Sequence, residues 1–103
     1  MAVIGTFKKT EDGYAGIIRT MIINVKASFV ANDKNGNDKA PDFKIIAGER
    51  EVGAAWRAAT KGEDSREFLR VELDDPGFAA PLRAALFENG GNASVLVWNR
   101  SLQ

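Results

Sequence analysis

Cysteine and histidine are both missing from the 103 residues of this chain. Without cysteine no disulfide forms, no thiolate nucleophile exists, and iron–sulfur clusters lose their ligands. Without histidine the Ser-His-Asp and Cys-His arrangements are excluded, and zinc and haem sites lose their usual donor. An excess of charge of one sign is missing too, because fourteen Lys and Arg balance fourteen Asp and Glu. Net charge therefore supplies no long-range attraction to nucleic acid or to an anionic membrane, and only a local basic patch would serve. Nor is there an apolar run of membrane-spanning length, or a basic segment followed by an apolar run and a cleavage site. A cytoplasmic protein with no membrane, metal or cofactor partner is the expectation from these absences.

What is present is alternation. From Met21 to Phe29, Met21, Ile23, Val25, Ala27 and Phe29 fall on one face, and Asn24, Lys26 and Ser28 on the other. This is the pattern of a strand with one buried and one wet side. Upstream, from Tyr14, the phase breaks, because Arg19 falls among the apolar positions. A bulge or bend near Arg19–Thr20 would restore it, since one extra residue flips every later side chain. The sequence thus predicts one long bent second strand over Tyr14–Val30, serving two parts of a closed sheet.

Around it, Val3–Phe7 reads as a short first strand, turned at Glu11-Asp12-Gly13. Residues 32–40 are polar and rich in turn formers, and read as a mobile loop. They do not make a calcium loop, because its closing Glu would fall on Lys44 and the Gly is misplaced. Phe43, Ile45 and Ala47 form an inward face, and Gly48-Glu49-Arg50 turns the chain into a partner strand over 51–57. There Val52, Ala54 and Trp56 share one face, with Gly53, Ala55 and Arg57 on the other. Leu69, Val71 and Leu73 point inward from the next strand. Asp74-Asp75-Pro76-Gly77 is a turn. Residues 78–88 read as a proline-bent loop leading into a strand, or else as one short helix. Asn89–Asn92 turns into a last strand, Ser94–Trp98, before a polar tail at 100–103. Regularly spaced strands of this kind predict a mostly β, single-domain antiparallel small barrel or sandwich spanning 1–103.

Three constellations are candidates for function. Trp56, Trp98, Phe68 and Tyr14 are interleaved with Lys26, Lys44, Arg57 and Arg70, and aromatics beside cations are how open barrels stack and thread single-stranded nucleic acid. The face Trp56 shares with Val52 argues instead for core packing. Asp74 and Asp75, with Asp42 and Glu72, carry the carboxylates magnesium needs, but adjacent strand residues point apart and Asp-Asp-Pro-Gly is a turn. The segment Phe78, Leu82, Arg83, Leu86 and Phe87 is more apolar than an exposed connection requires, and would make a protein-binding or homodimer surface if left uncovered.

Several phrases in order carry a resemblance: Ile4-Gly5-Thr6-Phe7, Asp12-Gly13-Tyr14, Gly16-Ile17-Ile18-Arg19-Thr20, Ala40-Pro41-Asp42-Phe43, Gly53-Ala54-Ala55-Trp56, Leu73-Asp74-Asp75-Pro76 and Val97-Trp98-Asn99-Arg100. Over nearly its whole length the chain resembles the family called domain of unknown function 736. The resemblance implies small bacterial proteins, common in alphaproteobacteria and often encoded near plasmid or conjugation genes, and it assigns no catalytic residue. The resulting expectation is a non-enzymatic interaction protein of mobile-element origin that binds a protein partner or itself. An inhibitor of a host defence complex, such as an anti-CRISPR protein, would be one member of that class. The alternative is a single-stranded nucleic-acid-binding module of a plasmid or conjugation system.

Overall fold

The computed structural model describes residues 2–21, 23–63, 65–76, 78–88 and 93–98. Within them the chain forms strands β1 (Ala2–Lys9), β2 (Gly13–Arg19), β3 (Asn24–Ala31), β4 (Phe43–Ala47), β5 (Arg50–Ala59), β6 (Glu67–Leu73), β7 (Leu82–Glu88) and β8 (Ala93–Trp98). Each pairs antiparallel with the next, and β8 pairs back onto β1. The result is a closed up-and-down barrel, the solution that leaves no strand edge open. Phe7, Phe29, Ile45, Val71 and Leu96 fill its interior and are fully buried. Phe7 and Phe29 meet edge to face, with ring centroids 5.1 Å apart. Room for Phe7 comes from Gly16, its registered partner on β2. A Cβ there would stand 2.0 Å from the Thr6 carbonyl oxygen, so the backbones approach too closely for any other residue.

The expected long strand over Tyr14–Val30 is two strands. β2 and β3 pair with each other from Arg19↔Asn24 to Gly13↔Val30. The phase break at Arg19–Thr20 marks a tight hairpin rather than a bulge. Thr20 N–H donates to the Ile23 carbonyl at 2.7 Å, and Ile23 N–H donates to Thr20 Oγ1 at 3.1 Å. The threonine hydroxyl closes a turn that lacks the usual Gly, Asn, Asp or Pro. Met21, expected on the buried face, stands fully exposed in that turn.

Bulges do occur, at other places. Ile4 is the extra residue of β1 against β8, and Val52 the extra residue of β5 against β4. The Val52 bulge inverts the expected faces of β5. Ala55 is fully buried in the core, whereas Trp56 stands half-buried on the outside. On β4 and β6 the expected inward residues Phe43, Ile45, Leu69, Val71 and Leu73 are buried, and on β3 so are Ala27 and Phe29, whereas Val25, expected beside them, is exposed near the barrel end. Over 78–88 the helix alternative gives way to the proline-bent loop and strand, with Ala84 and Leu86 inside the barrel.

The connection between β3 and β4 is tied at several points. Asn35 and Gly36 both have positive φ, 51° and 81°, and close a turn in which Asn37 N–H donates to the Lys34 carbonyl at 2.9 Å. Asn32 Nδ2 donates to the Pro41 carbonyl at 2.9 Å, and Trp56 Nε1 to the Lys39 carbonyl at 3.2 Å. The Asn89–Asn92 turn, Gly77 of the Asp-Asp-Pro-Gly turn and the tail at 100–103 lie outside the described residues.

Candidate functional site

Closure of the barrel creates two ends and an outer wall, and the three differ in chemistry. One end holds the β2–β3 and β4–β5 turns, and it is apolar. Ile18, Ile23, Val25, Val52, Leu73 and Phe78, together with the charged Arg50 and Asp75, line an open space of about 270 Å³ there. Phe78, Leu82 and Trp98 pack onto the core as half-buried residues. Two members of the expected protein-binding set, Phe78 and Leu82, are thus spent on covering the barrel interior. A third, Leu86, is 3% exposed within the core. Of the five residues, only Arg83 and Phe87 reach the outside, so the segment does not form the uncovered surface expected of it. Alternation explains this, because β7 sends Leu82, Ala84 and Leu86 inward and Arg83, Ala85 and Phe87 outward.

On the wall of β5, β6 and β7 the outward residues assemble. Arg70 is registered between Trp56 and Ala85, and its guanidinium lies 5.4 Å from the Trp56 ring centroid. Phe68 and Phe87 stack with centroids 5.1 Å apart and an interplanar angle of 25°. Arg66 lies 5.3 Å from the Phe87 ring and donates from its guanidinium to the Glu88 carbonyl at 2.9 Å. These contacts hold flat rings and planar cations in one layer, with the side chains already ordered. Beside them a groove of about 550 Å³ is lined by Lys39, Trp56, Phe68, Arg70, Glu72 and Arg83.

The sequence-derived nucleic-acid set is therefore partly brought together. Trp56, Phe68 and Arg70 share the wall. Lys26 points outward from β3, registered against Ile17, away from β5–β7. Lys44 is outward on β4 and pairs with Glu51 at 3.6 Å, an exposed pair of little energetic weight. Arg57 belongs to the other face of β5 and stacks on Phe43 at 5.6 Å. Arg66, Arg83, Lys39 and Phe87 complete the wall. They were absent from that set: Arg83 joins the wall through strand register, Phe87 through its stack on Phe68, Lys39 through its carbonyl's bond to Trp56 and Arg66 through its contact with Phe87, none of which a linear sequence displays.

The second end is polar. Tyr14 lies edge-on to Phe29 and Phe43, with centroids 5.8 and 5.9 Å away. Burial raises its phenol pKa, the Glu88 carboxylate raises it further, and Arg57 opposes both. Asp42, on the rim, accepts from Arg57 N–H at 2.9 Å and pairs with Lys34 at 3.3 Å. The backbone bond from Arg57, assisted by Lys34, holds its carboxyl below the ordinary value. Asp42 thus serves as a structural clamp between the β3–β4 connection and β5. Asp74 and Asp75 follow β6 at the apolar end, so Asp42 is not beside them, and no metal-holding carboxylate group exists among the described residues.

These features define a closed eight-stranded antiparallel barrel with an aromatic and cationic outer wall. The chain belongs to the family described as protein of unknown function (DUF736), whose model matches residues 3–101. No curated protein and no solved structure matches it.

Proposed function

We propose that this protein acts by binding, and that the outer wall of β5–β7 holds single-stranded nucleic acid. The observation that carries this reading is the gathering of Trp56, Phe68 and Phe87 with Lys39, Arg66, Arg70 and Arg83 on one side of a chain whose net charge is zero. Bases stack on flat aromatic faces, and arginine and lysine follow the phosphates. Glu72 is the carboxylate in the groove and leaves it net cationic. Lys8, Lys26, Lys44, Arg70 and Arg83 also face outward, where a membrane barrel carries an apolar band. The plasmid or conjugation setting that the family resemblance implies would present such strands.

A protein partner is the second reading, because Trp, Phe and Arg also dominate protein interfaces. A closed barrel offers no free edge for strand addition, so that partner would bind through side chains, those of this wall among them. The unbalanced cations favour the nucleic acid.

Fluorescence anisotropy with short labelled oligonucleotides tests the proposal. Binding should weaken with salt, with a log–log slope of about −2 for roughly three neutralised phosphates. Trp56→Ala should weaken it about 5- to 150-fold, the range of one base–aromatic stack, and Arg70→Glu should abolish it at moderate salt. Salt-independent binding, no binding at low ionic strength, or capture of a protein that Trp56→Ala releases while oligonucleotides are ignored would overturn it.

A further inference from the structure

The polar end of the barrel holds a cavity of about 740 Å³, bordered by Arg66 and Phe68 of the wall but lined otherwise by residues the wall does not include. Its size lies in the usual range of small-molecule sites, and barrel mouths are a common place for them. Leu69 and Leu86 make an apolar floor, with Ser94 beside them. Ser94 is 2% exposed, faces the interior across from Phe7, and is the one buried polar residue among the described residues. Among the described residues no side chain hydrogen-bonds to its hydroxyl. Ser94 lines the open cavity, so its hydroxyl is placed to meet a polar atom arriving from outside.

Above the floor the chemistry is mixed. Arg57 and Tyr14 offer donors, Glu67 and Glu88 offer acceptors, and Arg66 stands at the rim. Two arginines and two glutamates line the cavity, so its charges cancel. A lone anion would meet the glutamates and a lone cation the arginines. The walls are also prearranged: Phe29 and Phe43 hold the Tyr14 ring edge-on, while Arg57 stacks on Phe43 and is anchored through its N–H to Asp42. Prearranged walls reduce the ordering cost of binding.

We infer that this mouth binds a neutral, flat heteroaromatic ring with both donors and acceptors on its edge, the chemical class of a nucleobase. The ring lies on the Leu69–Leu86 floor beside Tyr14, and its edge reaches Ser94, Glu88 and Arg57. The base comes either as a free nucleoside or from a strand held on the wall, since Phe68 borders both the cavity and the groove. The inference does not require the wall to bind nucleic acid, because an uncharged nucleoside needs no phosphate-following cations.

Titration of the full chain with adenosine, guanosine, cytidine and uridine, followed by amide NMR shifts, tests it. At least one nucleoside should give saturable shifts centred on Tyr14, Arg57, Leu86, Glu88 and Ser94. Glu88→Gln should reduce its affinity at least about tenfold, the scale of one lost charge-assisted hydrogen bond. Ser94→Val should act likewise, and Tyr14→Phe provides a second variant should Ser94→Val fail to fold. Benzoate and glycine serve as the anionic and zwitterionic comparisons and should bind more weakly. Oligonucleotides carrying one abasic position distinguish the sources: a strand-derived base predicts lower affinity when that position is removed, a free nucleoside predicts none. Absence of saturation by all four nucleosides, shifts confined to the β5–β7 wall, or equal binding of benzoate or glycine would overturn the inference. None of these outcomes touches the salt-dependent oligonucleotide measurement.

Discussion

Thr10, Thr20 and Thr60 do the same work in three different connections. Each donates its backbone N–H to the carbonyl of the residue that resumes the next strand or leads into it, Gly13, Ile23 or Arg66. Each then accepts that residue's N–H on its hydroxyl, at 3.1, 3.1 and 2.8 Å. A side-chain oxygen thereby replaces a backbone carbonyl in the closing pair, which at Thr20 serves a turn without Gly, Asn, Asp or Pro. Tyr14 shows a second residue-scale effect. The folded state favours its neutral phenol, so above the ordinary tyrosine value of 10.0 the folded chain keeps a proton that the unfolded chain releases. Stability contributed by that retained proton is present below pH 10 and is lost as pH rises through the folded value. Because Tyr14 is the chain's one tyrosine, tyrosinate absorbance reads it directly. The midpoint should lie above the ordinary value and fall in Glu88→Gln. A midpoint at or below the ordinary value in the native protein would contradict the buried placement. Asp42 has the opposite sign: its depressed pKa contributes stability above the unfolded carboxylate value, lost as pH falls through the folded one.

Among the elements, β7 separates structure from binding most clearly. Leu86 and Phe87 are adjacent, yet one fills the barrel and the other stacks on Phe68 outside it. Leu86→Ala should cost about 2–5 kcal/mol, the range for emptying a buried leucine site. Phe87→Ala should cost less in stability and more in oligonucleotide affinity. Urea unfolding and anisotropy on the two variants check this, and equal losses in both measurements would mean that β7 does not sort the two roles by face. In the sequence the same alternation left β7 open between a strand and a short helix, and pairing with β6 and β8 decides for the strand. Alternation also shows why Phe78, Leu82 and Leu86 looked like surplus apolar surface. Their destination is the interior, which a reading of one segment alone does not contain. β5 is the converse case. Its alternation was visible, but the bulge at Val52 shifts the phase, so Trp56 emerges where the unbroken pattern put it inside.

The whole molecule depends on β1, the strand that meets both β2 and β8 and closes the sheet. Every other pairing joins neighbours in sequence, whereas β1–β8 joins the ends of the described chain. Deleting residues 2–9 would leave β2 and β8 as open edges with unpaired backbone groups. The truncated chain should therefore form soluble oligomers or aggregates by size-exclusion chromatography, where the full chain elutes as a discrete species. A truncated chain that stays discrete and retains its β circular-dichroism signal would show that closure is dispensable.

Period-two alternation, the Gly-containing turns and the absence of Cys and His determined what could be read directly: a mostly β chain, the inward faces of β4 and β6 with Ala27 and Phe29 of β3, and the exclusion of thiol and imidazole chemistry. These are local properties, because side-chain direction on a strand follows from its backbone geometry. Tertiary structure alone decided the rest. Whether a break in phase is a bulge or a hairpin depends on the partner each backbone group finds. At Thr20 the partner is Ile23, and at Val52 it is a strand that runs one residue shorter. The outer wall likewise exists only because register sets Trp56 against Arg70 and Arg70 against Ala85. The polar mouth exists only because a sheet that closes on itself has an inside.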